Sequence, residues 1–282
     1  MTDISLILEG GGMRGAFTAG VLDFFLEHDL LFSDVYGVSA GACQACSYLS
    51  GQKGRGLRVW VNYLRDARFC SLSSLIRTGD LFNAAFNYDL LPNRFDPIDY
   101  SAFQQRSPSF VCVVTNVRTG QAEYIPIPDL QKGLAVVQAS ASLPLISNMV
   151  SINGQKYLDG GVADPIPLAR SMADGHTRHV LILTQPESYR KSPNKALPLI
   201  RLKYAAYPAF IQIMQSRHLL YNRTLEEIAK AERNGTVFVI RPEITPDVRR
   251  IERNPRKLEA LYRHGQQVAQ ARYDALKQFL YK

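Results

Sequence analysis

Three short glycine-bearing stretches constrain this chain more than any other feature of its sequence. They are residues 10–15 (Gly-Gly-Gly-Met-Arg-Gly), 37–41 (Gly-Val-Ser-Ala-Gly) and 159–161 (Asp-Gly-Gly). The first two each follow a short apolar run and precede a stretch with helical spacing, so we predict that both lie at strand-to-helix junctions. Open α/β sheets bind ligands at the carboxyl ends of their strands, and both junctions are expected at that edge.

The residue types in these stretches supply the parts of an acyl-transfer site. Ser39 stands at the centre of G-x-S-x-G, where Gly37 and Gly41 let the chain turn sharply from a strand into a helix and hold Oγ in the open. The first stretch offers backbone N–H groups that no side chains obstruct, and these can face a developing oxyanion. Asp159 offers a carboxylate that can accept the serine proton, provided that the fold brings it within hydrogen-bond reach.

The first stretch also fits a different class of site. Gly10, Gly12 and Gly15 spell G-x-G-x-x-G, the fingerprint of a dinucleotide-binding loop. That fingerprint needs an acidic residue at the end of the second strand, whereas Asp34 begins the corresponding strand here and the serine turn occupies its end. Arg14 would suit a phosphate or an anionic head group as well as a cofactor. A Rossmann-type oxidoreductase is therefore the third-ranked hypothesis, and no cofactor is expected.

The residues alone leave the proton acceptor open. Asp159 could instead form an Asp-Gly turn, which is the commonest meaning of that pair, and Asp164 competes with it. The chain order of Ser39, Asp159 and then His176 or His179 matches the hydrolase order of serine, acid and histidine. Both histidines precede a predicted strand and so lie at its amino end, from which neither is expected to reach Ser39.

Apolar runs alternate with helical stretches along most of the chain. This pattern predicts an α/β fold in which helices cover both faces of a mostly parallel sheet. The predicted strands share a buried, β-branched character and lie at 4–8, 34–38, 110–114, 123–126, 180–184 and 237–240.

The expected organisation is a catalytic core at 1–185, followed by a C-terminal strand and helices at 186–282 that complete or flank it. Residues 66–108 are irregular and aromatic, and they indicate either a cap over the site or an insertion whose rings pack against the sheet. Residues 186–198 are rich in Ser, Pro, Lys and Asn and are predicted to form an exposed loop. An amphipathic helix starting at Asn254-Pro255 either packs on the domain or lies on anionic lipid.

Composition narrows the class of protein and of partner. No apolar run approaches the roughly 18 residues of a membrane span, and Met1 to Ser5 lack a basic leader region, so a cytoplasmic location is expected. The net charge of +8 suits nucleic acid, an anionic membrane surface or simple solubility. No nucleic-acid module is recognisable, so no nucleic-acid partner is expected, while peripheral contact with the inner membrane face stays open.

The cysteines do not form a disulfide framework or a metal site. Cys43, Cys46, Cys70 and Cys112 are few for 282 residues, and we expect reduced thiols. Residues 43–46 spell C-x-x-C, but no second pair of Cys or His lies at zinc-finger spacing, so no metal is expected.

Taken together, the three stretches resemble the patatin-like phospholipase family. Residues 9–16 resemble its oxyanion loop, 37–41 its nucleophile elbow and 159–161 its D-G-G/A element. The resemblance implies a three-layer α/β/α sandwich that needs no metal. It also implies a Ser-Asp dyad in which Ser39 attacks an ester carbonyl and Asp159 accepts its proton. The other site residues that the resemblance implies are backbone donors and turn glycines: Gly10, Gly11, Gly12, Met13, Arg14, Gly15, Gly37, Gly41, Gly160 and Gly161.

The activity that the resemblance implies is hydrolysis of acyl esters of lipids, of phospholipase A or lysophospholipase type. The rival hypothesis is a non-catalytic lipid- or anion-binding protein on the same fold, which would contact membranes through Arg14 and the basic C-terminal helix.

Overall fold

The computed structural model describes residues 4–32, 34–106 and 109–281. The last two positions of the expected cap insertion, 107 and 108, lie outside these ranges. The described strands form one sheet. They are β1 (Ile4–Leu8), β2 (Asp34–Val38), β3 (Ser109–Asn116), β4 (Ala122–Pro126), β5 (Val150–Ile152), β6 (Gln155–Asp159), β7 (Arg178–Ile182) and β8 (Val237–Ile240).

The sheet is parallel at its centre and antiparallel along one side. Its order is β5-β6-β3-β2-β1-β7-β8, with β4 also paired to β3. The strands β3, β2, β1, β7 and β8 run parallel, whereas β4 and β6 pair antiparallel with β3 and β5 pairs antiparallel with β6. The predicted α/β architecture with a mostly parallel central sheet is confirmed, and the antiparallel strands are confined to the β3 side.

Two short 3₁₀-helices cover Gly12–Arg14 and Gly160–Val162, and longer helices account for the rest of the regular structure in the described ranges. They are α1 (Gly15–Glu27), α2 (Ala40–Leu49), α3 (Arg55–Tyr63), α4 (Leu72–Thr78), a π-helix (Phe86–Phe95), α5 (Tyr100–Arg106), α6 (Leu130–Ala141), α7 (Leu168–Ala173), α8 (Leu197–Lys203), α9 (Pro208–Arg233), α10 (Pro255–Ala271) and α11 (Tyr273–Leu280).

Alternate residues of β1 belong to different hydrophobic cores, because successive side chains of a strand point to opposite faces. Leu6 and Leu8 join the core that contains Phe17 of α1, whereas Ile7 joins the core that contains Ile228 of α9. All five residues of β1 are buried. The sheet is thus covered on both faces, which gives the three layers that the resemblance implies.

The hairpin of β5 and β6 was not predicted, although the sequence carries a signal for it. Asn153 and Gly154 connect the two strands, and both have positive φ, at 49° and 77°. An Asn-Gly pair is typical of a two-residue hairpin turn, because these residues tolerate the left-handed backbone better than others. The hairpin matters for function because Asp159 is the last residue of β6.

The C-terminal helix α10 packs on α1, as one of the two alternatives for it requires. A methyl group on Gly20 would collide with the carbonyl oxygen of Tyr262, and one on Gly265 would collide with that of Phe17. The two helix backbones therefore approach each other more closely than larger residues would permit. None of the helices in the described ranges combines the length and apolar character that crossing a bilayer requires.

The described part of the aromatic segment, residues 66–106, packs into the same core as α1. Phe69, Phe82, Phe86 and Phe103 contribute rings to that core, of which Phe82 is only partly buried. The N–H of Leu81 donates to the carbonyl oxygen of Ile146 at 2.8 Å, which ties the segment to the main body of the domain.

The register of β3 brings the second and third glycine stretches together. Val113 pairs with Val38 of β2 on one side and with β4 on the other. Val114 pairs with β4 again and with Asp159 of β6. β4 pairs with the same edge of β3 along its whole length. β6 must therefore pair with the opposite edge of β3, beyond the point where the chain of β2 turns away at Ser39. The end of β6 therefore meets the end of β2 head-on.

Candidate active site

Ser39 occupies a strained turn between β2 and α2. Its backbone angles are φ 53° and ψ −121°, a region that a residue with a side chain seldom adopts. Gly41 permits the turn to sit directly on the end of β1, because a methyl group there would collide with the carbonyl oxygen of Leu8. The N–H of Ser39 donates to Ser140 Oγ at 2.8 Å, which holds the turn against α6. This is the geometry that a nucleophile elbow requires.

Asp159 lies within hydrogen-bond distance of the serine. Ser39 Oγ donates to Asp159 Oδ2 at 2.6 Å, and the N–H of Gly161 donates to Oδ1 at 2.8 Å. Thr115 Oγ1 donates to the carbonyl oxygen of Asp159 at 2.8 Å, which fixes its backbone. Ser39 and Asp159 are only 6% and 3% exposed, so water competes little for their hydrogen bond.

Burial raises the pKa of Asp159 above its ordinary value. The hydrogen bond from Ser39 opposes this rise most strongly, followed by the positive charge of Arg217. In its ionised form, a carboxylate with a raised pKa is a better proton acceptor than an exposed aspartate.

Asp164, the competing carboxylate, has a different partner. It accepts a hydrogen bond from the Tyr124 hydroxyl at 2.7 Å and another from the N–H of Ile166 at 3.3 Å. None of the hydrogen bonds found for it among the described residues involves Ser39, so Asp159 is the acid that the fold places beside the serine.

The first glycine stretch lies against the serine, and it offers fewer free donors than the sequence predicts. A methyl group on Gly10 would lie 2.9 Å from Ser39 Cβ. The N–H of Met13 already donates to the carbonyl oxygen of Arg250 at 3.0 Å, and the N–H of Gly15 donates within its own turn. In the described ranges, no acceptor contacts the N–H groups of residues 10–12. The backbone N–H groups of residues 10–12 are therefore the donors that this stretch leaves available to an oxyanion.

Glu9 anchors this stretch, a role that the sequence did not indicate. The carboxylate is 2% exposed and accepts hydrogen bonds from the N–H and the hydroxyl of Thr184, at 2.6 and 2.9 Å. It also accepts one from the Tyr221 hydroxyl at 2.6 Å. The oxygens of Glu9 therefore tie the glycine loop to the end of β7 and to α9.

The two histidines considered for a triad lie at the opposite edge of the sheet. His179 pairs in register with Ser5, near the start of β1, and its Nδ1 lies 2.9 Å from Ser5 Oγ. His176 Nε2 lies 3.9 Å from Asp34 at the start of β2. Ser39 follows the other end of β2, so neither histidine reaches it, as the sequence predicts.

An apolar cavity of about 140 Å³ opens on one side of Ser39. Its walls come from α2, α3, α6, the π-helix and the segment that precedes it. They include Cys43, Val59, Trp60, Phe69, Phe82, Tyr88, Leu91, Leu134 and Val137. Burial raises the pKa of Cys43 to about 11, so its thiol stays protonated and contributes apolar surface rather than a nucleophile. All four cysteines are free thiols.

A cleft of about 450 Å³ opens beside Asp159 and combines apolar with basic side chains; we call it the cationic cleft. Asp159 lies on its wall together with five Lys and Arg side chains, of which Lys191, Arg217 and Arg250 also line the space beside Ser39. A narrow space that contains Ser39 and Arg14 joins it to the glycine loop. Residues 186–198 form an exposed loop over most of their length, as predicted, but Lys191 is half-buried in this cleft.

The site has recognisable relatives in sequence. A family model described as patatin-like phospholipase matches residues 6–170, and one described as a domain of unknown function, DUF6363, matches residues 207–281. The chain is 29% identical over 248 residues to protein YjjU of Escherichia coli, an alignment that covers 85% of this chain and 68% of that protein.

Two further comparisons are more distant. Lysophospholipase NTE1 of Candida albicans is 21% identical over 263 residues, which cover 86% of this chain but only 18% of that protein. The NTE family protein Rv1063c of Mycobacterium tuberculosis is 23% identical over 167 residues, covering 59% of this chain and 44% of that protein. Among solved structures, VipD from Legionella pneumophila superposes with a TM-score of 0.48 at 14% identity, covering 96% of this chain and 67% of that one.

Proposed function

The chain belongs to the patatin-like phospholipase family, and on that premise we propose that it hydrolyses acyl esters of lipids through Ser39 and Asp159. The observation that supports this most directly is the 2.6 Å hydrogen bond from Ser39 Oγ to Asp159 Oδ2. A hydroxyl donating to a buried carboxylate with a raised pKa is poised to lose its proton as it attacks.

The proposed reaction has two halves. Ser39 Oγ attacks the ester carbonyl and its proton passes to Asp159 Oδ2, which gives a tetrahedral intermediate. The intermediate collapses, the bond to the leaving alcohol breaks, and Asp159 returns the proton to that alcohol. Water then attacks the acyl-Ser39 ester and gives its proton to Asp159. The bond to Ser39 Oγ breaks, Asp159 returns the proton to that oxygen, and the fatty acid is released.

The oxyanion of each intermediate would be held by the N–H groups of Gly10, Gly11 and Gly12. These donors face no protein acceptor among the described residues, and they belong to a loop that Glu9 holds in place. Fixed donors of this kind stabilise the charge that develops in the transition state, and losing one typically costs about a hundredfold or more in rate. A carboxylate is a weaker base than imidazole, so this contribution matters more here than in a triad.

The apolar cavity beside Ser39 supports a lipid rather than a small polar ester as substrate. An acyl chain in that cavity would bring its carbonyl carbon to the hydroxyl, because Ser39 itself forms part of the wall. Segment 66–106 supplies several of the cavity's side chains, so a cap role for the 66–108 insertion remains part of the proposal.

The test is hydrolysis of a p-nitrophenyl ester of medium chain length by the wild type and by Ser39→Ala and Asp159→Asn. Asp164→Asn serves as the matched carboxylate control, since Asp164 is half-buried but is hydrogen-bonded to Tyr124 rather than to Ser39. We expect both dyad variants to be inactive and the control to retain activity. A fluorophosphonate reagent should label the wild type at Ser39. Turnover by Ser39→Ala at the wild-type rate would overturn the proposal.

The rival function, anion or lipid binding without catalysis, finds its support in the cationic cleft. It would be favoured if no ester were turned over while Ser39→Ala bound anionic liposomes as well as the wild type did.

A further inference from the structure

Cations from four separate parts of the chain converge beside Ser39. Arg14 belongs to the glycine loop, Lys191 to the loop after β7, Arg217 to α9, and Arg250 to the segment between β8 and α10. All four surround the narrow space that contains Ser39 and Asp159. Three of them lie beyond residue 170, where the match to the patatin-like family model ends.

Among the described residues, none of the four forms a salt bridge. The salt bridges found among the described residues join other side chains. Two carboxylates are nearby, but both are engaged: Glu9 binds Thr184 and Tyr221, and Asp159 binds Ser39 and Gly161. Four cations therefore face two carboxylates, and with all six groups ionised the cluster carries an excess of two positive charges.

The excess charge is unfavourable for the protein alone. Burial, followed by repulsion from Arg250, lowers the pKa of Arg217 to about 10. Burial, followed by repulsion from Arg217 and Arg250, lowers the pKa of Lys191 to about 7. Arg14, Lys191 and Arg217 are half-buried, and cations drawn partly out of water are normally paired, so a cluster that lacks its anions is the kind of arrangement that a bound anion completes.

The cations are held in place rather than loosely distributed. Arg217 Nε donates to the carbonyl oxygen of Gly161 at 2.6 Å, next to Asp159. The backbone of Lys191 exchanges two hydrogen bonds with the Asn222 side chain, at 2.8 and 3.1 Å, and its Nζ lies 4.3 Å from the centre of the Tyr221 ring. Arg14 Nε is buried without any acceptor. Arg217 is thus anchored through Nε and Lys191 through its backbone, and the Arg14 Nε donor is left unused by the described residues.

We propose that the cationic cleft is a binding subsite for a phosphate group carried by the lipid substrate, with Lys191, Arg217 and Arg250 as the residues that select it. This inference rests on the proposed function. A phosphate monoester carries a charge of about −1.5 to −2 at neutral pH and three acceptor oxygens, which matches the excess charge and the number of donors. With the acyl chain in the apolar cavity, the phosphate would extend into the cationic cleft on the other side of Ser39.

The test compares lysophosphatidic acid with a monoacylglycerol of the same acyl chain, both in mixed micelles. We expect the wild type to favour the phosphate-bearing lipid in kcat/KM. Lys191→Met and Arg250→Gln should each reduce that preference about tenfold or more, mainly through KM. Using two variants guards against a folding defect in either one. Arg223→Gln and Lys132→Met remove exposed charges elsewhere and should leave the preference unchanged.

A binding measurement separates the two sources of phosphate. Lysophosphatidic acid should raise the melting temperature of Ser39→Ala, and the effect should shrink when Lys191→Met is added. Stabilisation by inorganic phosphate without any lipid preference would assign the cleft to a free anion and overturn the subsite.

Failure of the subsite is distinguishable from failure of the hydrolase. Equal kcat/KM on both lipids in the wild type and in both cleft variants would overturn the subsite while ester hydrolysis through Ser39 stood. No turnover of any ester, with Ser39→Ala still binding lysophosphatidic acid through Lys191, would overturn the proposed function alone.

Discussion

The two sides of Ser39 differ in both chemistry and origin. The apolar cavity is built almost wholly from residues that precede 144, within the stretch that matches the family model, whereas the cationic cleft draws Lys191, Arg217 and Arg250 from beyond that stretch. Under the proposed function, bond cleavage and acyl binding belong to the part of the chain that matches the family model. Recognition of the rest of the substrate is assigned to the part that is less characteristic of it.

The largest effect is expected from removing the Ser39–Asp159 pair, which lies between the apolar cavity and the cationic cleft. Ser39→Ala and Asp159→Asn should each lower kcat/KM by about three orders of magnitude or more, because nucleophile and base act as one unit. The loss should be equal for lysophosphatidic acid and for a monoacylglycerol, since both use the same dyad. Steady-state kinetics on the two lipids would measure this loss. A loss confined to one lipid would contradict the use of the same Ser39–Asp159 pair for both.

The pH dependence of kcat/KM tests whether the cations of the cleft influence the base, Asp159. Because the pKa of Asp159 is raised, the carboxylate becomes protonated at a higher pH than an ordinary aspartate, and activity is lost as pH falls through that value. Below the pKa, kcat/KM should fall about tenfold per pH unit. Arg217 holds this pKa down, so Arg217→Met should move the acid limb to higher pH.

Arg223→Gln, on the same helix as Arg217 but exposed, should leave the limb in place. Superimposable acid limbs for wild type and Arg217→Met would contradict the electrostatic link between the cleft and Asp159.

Filling the apolar cavity with a larger side chain tests whether this cavity binds the acyl chain. Val137 is 2% exposed and forms part of the cavity wall. Val137→Phe should reduce kcat/KM for dodecanoyl relative to acetyl p-nitrophenyl esters by about tenfold, since lost apolar contact is worth roughly 1–3 kcal/mol. Val137→Ile, a smaller addition, should shift the profile less in the same direction. An unchanged chain-length profile would place the acyl group elsewhere.

The smallest expected effect is a change of head-group preference with pH. Lys191, with a pKa of about 7, is charged below that pH and neutral above it, so its attraction for an anion weakens as pH rises through 7. The groups that set this value are Arg217, Arg250, Glu9 and Arg14. A phosphate monoester loses its second charge below about pH 6, so the preference should be greatest between about 6 and 7 and drop a few-fold by pH 8.

Lys191→Met should flatten that part of the curve. A preference for lysophosphatidic acid that is constant from pH 6 to 8 in the wild type would contradict a contribution of Lys191 to that preference.

The sequence predicted the strand-to-helix junctions well because they depend on local signals. Apolar runs that end in glycines, as at Gly10 and Gly37, have few other interpretations. The choice of Asp159 over Asp164 was beyond local reasoning and came from family resemblance, since it depends on β6 taking the place of β2 beside β3. The Asn153-Gly154 turn would have indicated that hairpin, but not its register.

Beyond Arg14, the cluster of four cations beside Ser39 could not have been predicted from sequence. Arg14, Lys191, Arg217 and Arg250 are separated by up to 236 positions, 250 minus 14, and no spacing links them. Lys191 even lies in a segment whose composition indicates full exposure. Its half-buried state results from the side chain of Asn222, a tertiary contact that composition does not encode.

The close backbone contact between α1 and α10 has a consequence for how this chain can be divided. A fragment that stops where the family match stops, at residue 170, would lose α10 and leave the glycine face of α1 against water. It would also lose the Arg250 carbonyl that steadies the Met13 amide. The end of the family match at residue 170 is therefore not a domain boundary at which the chain can be truncated.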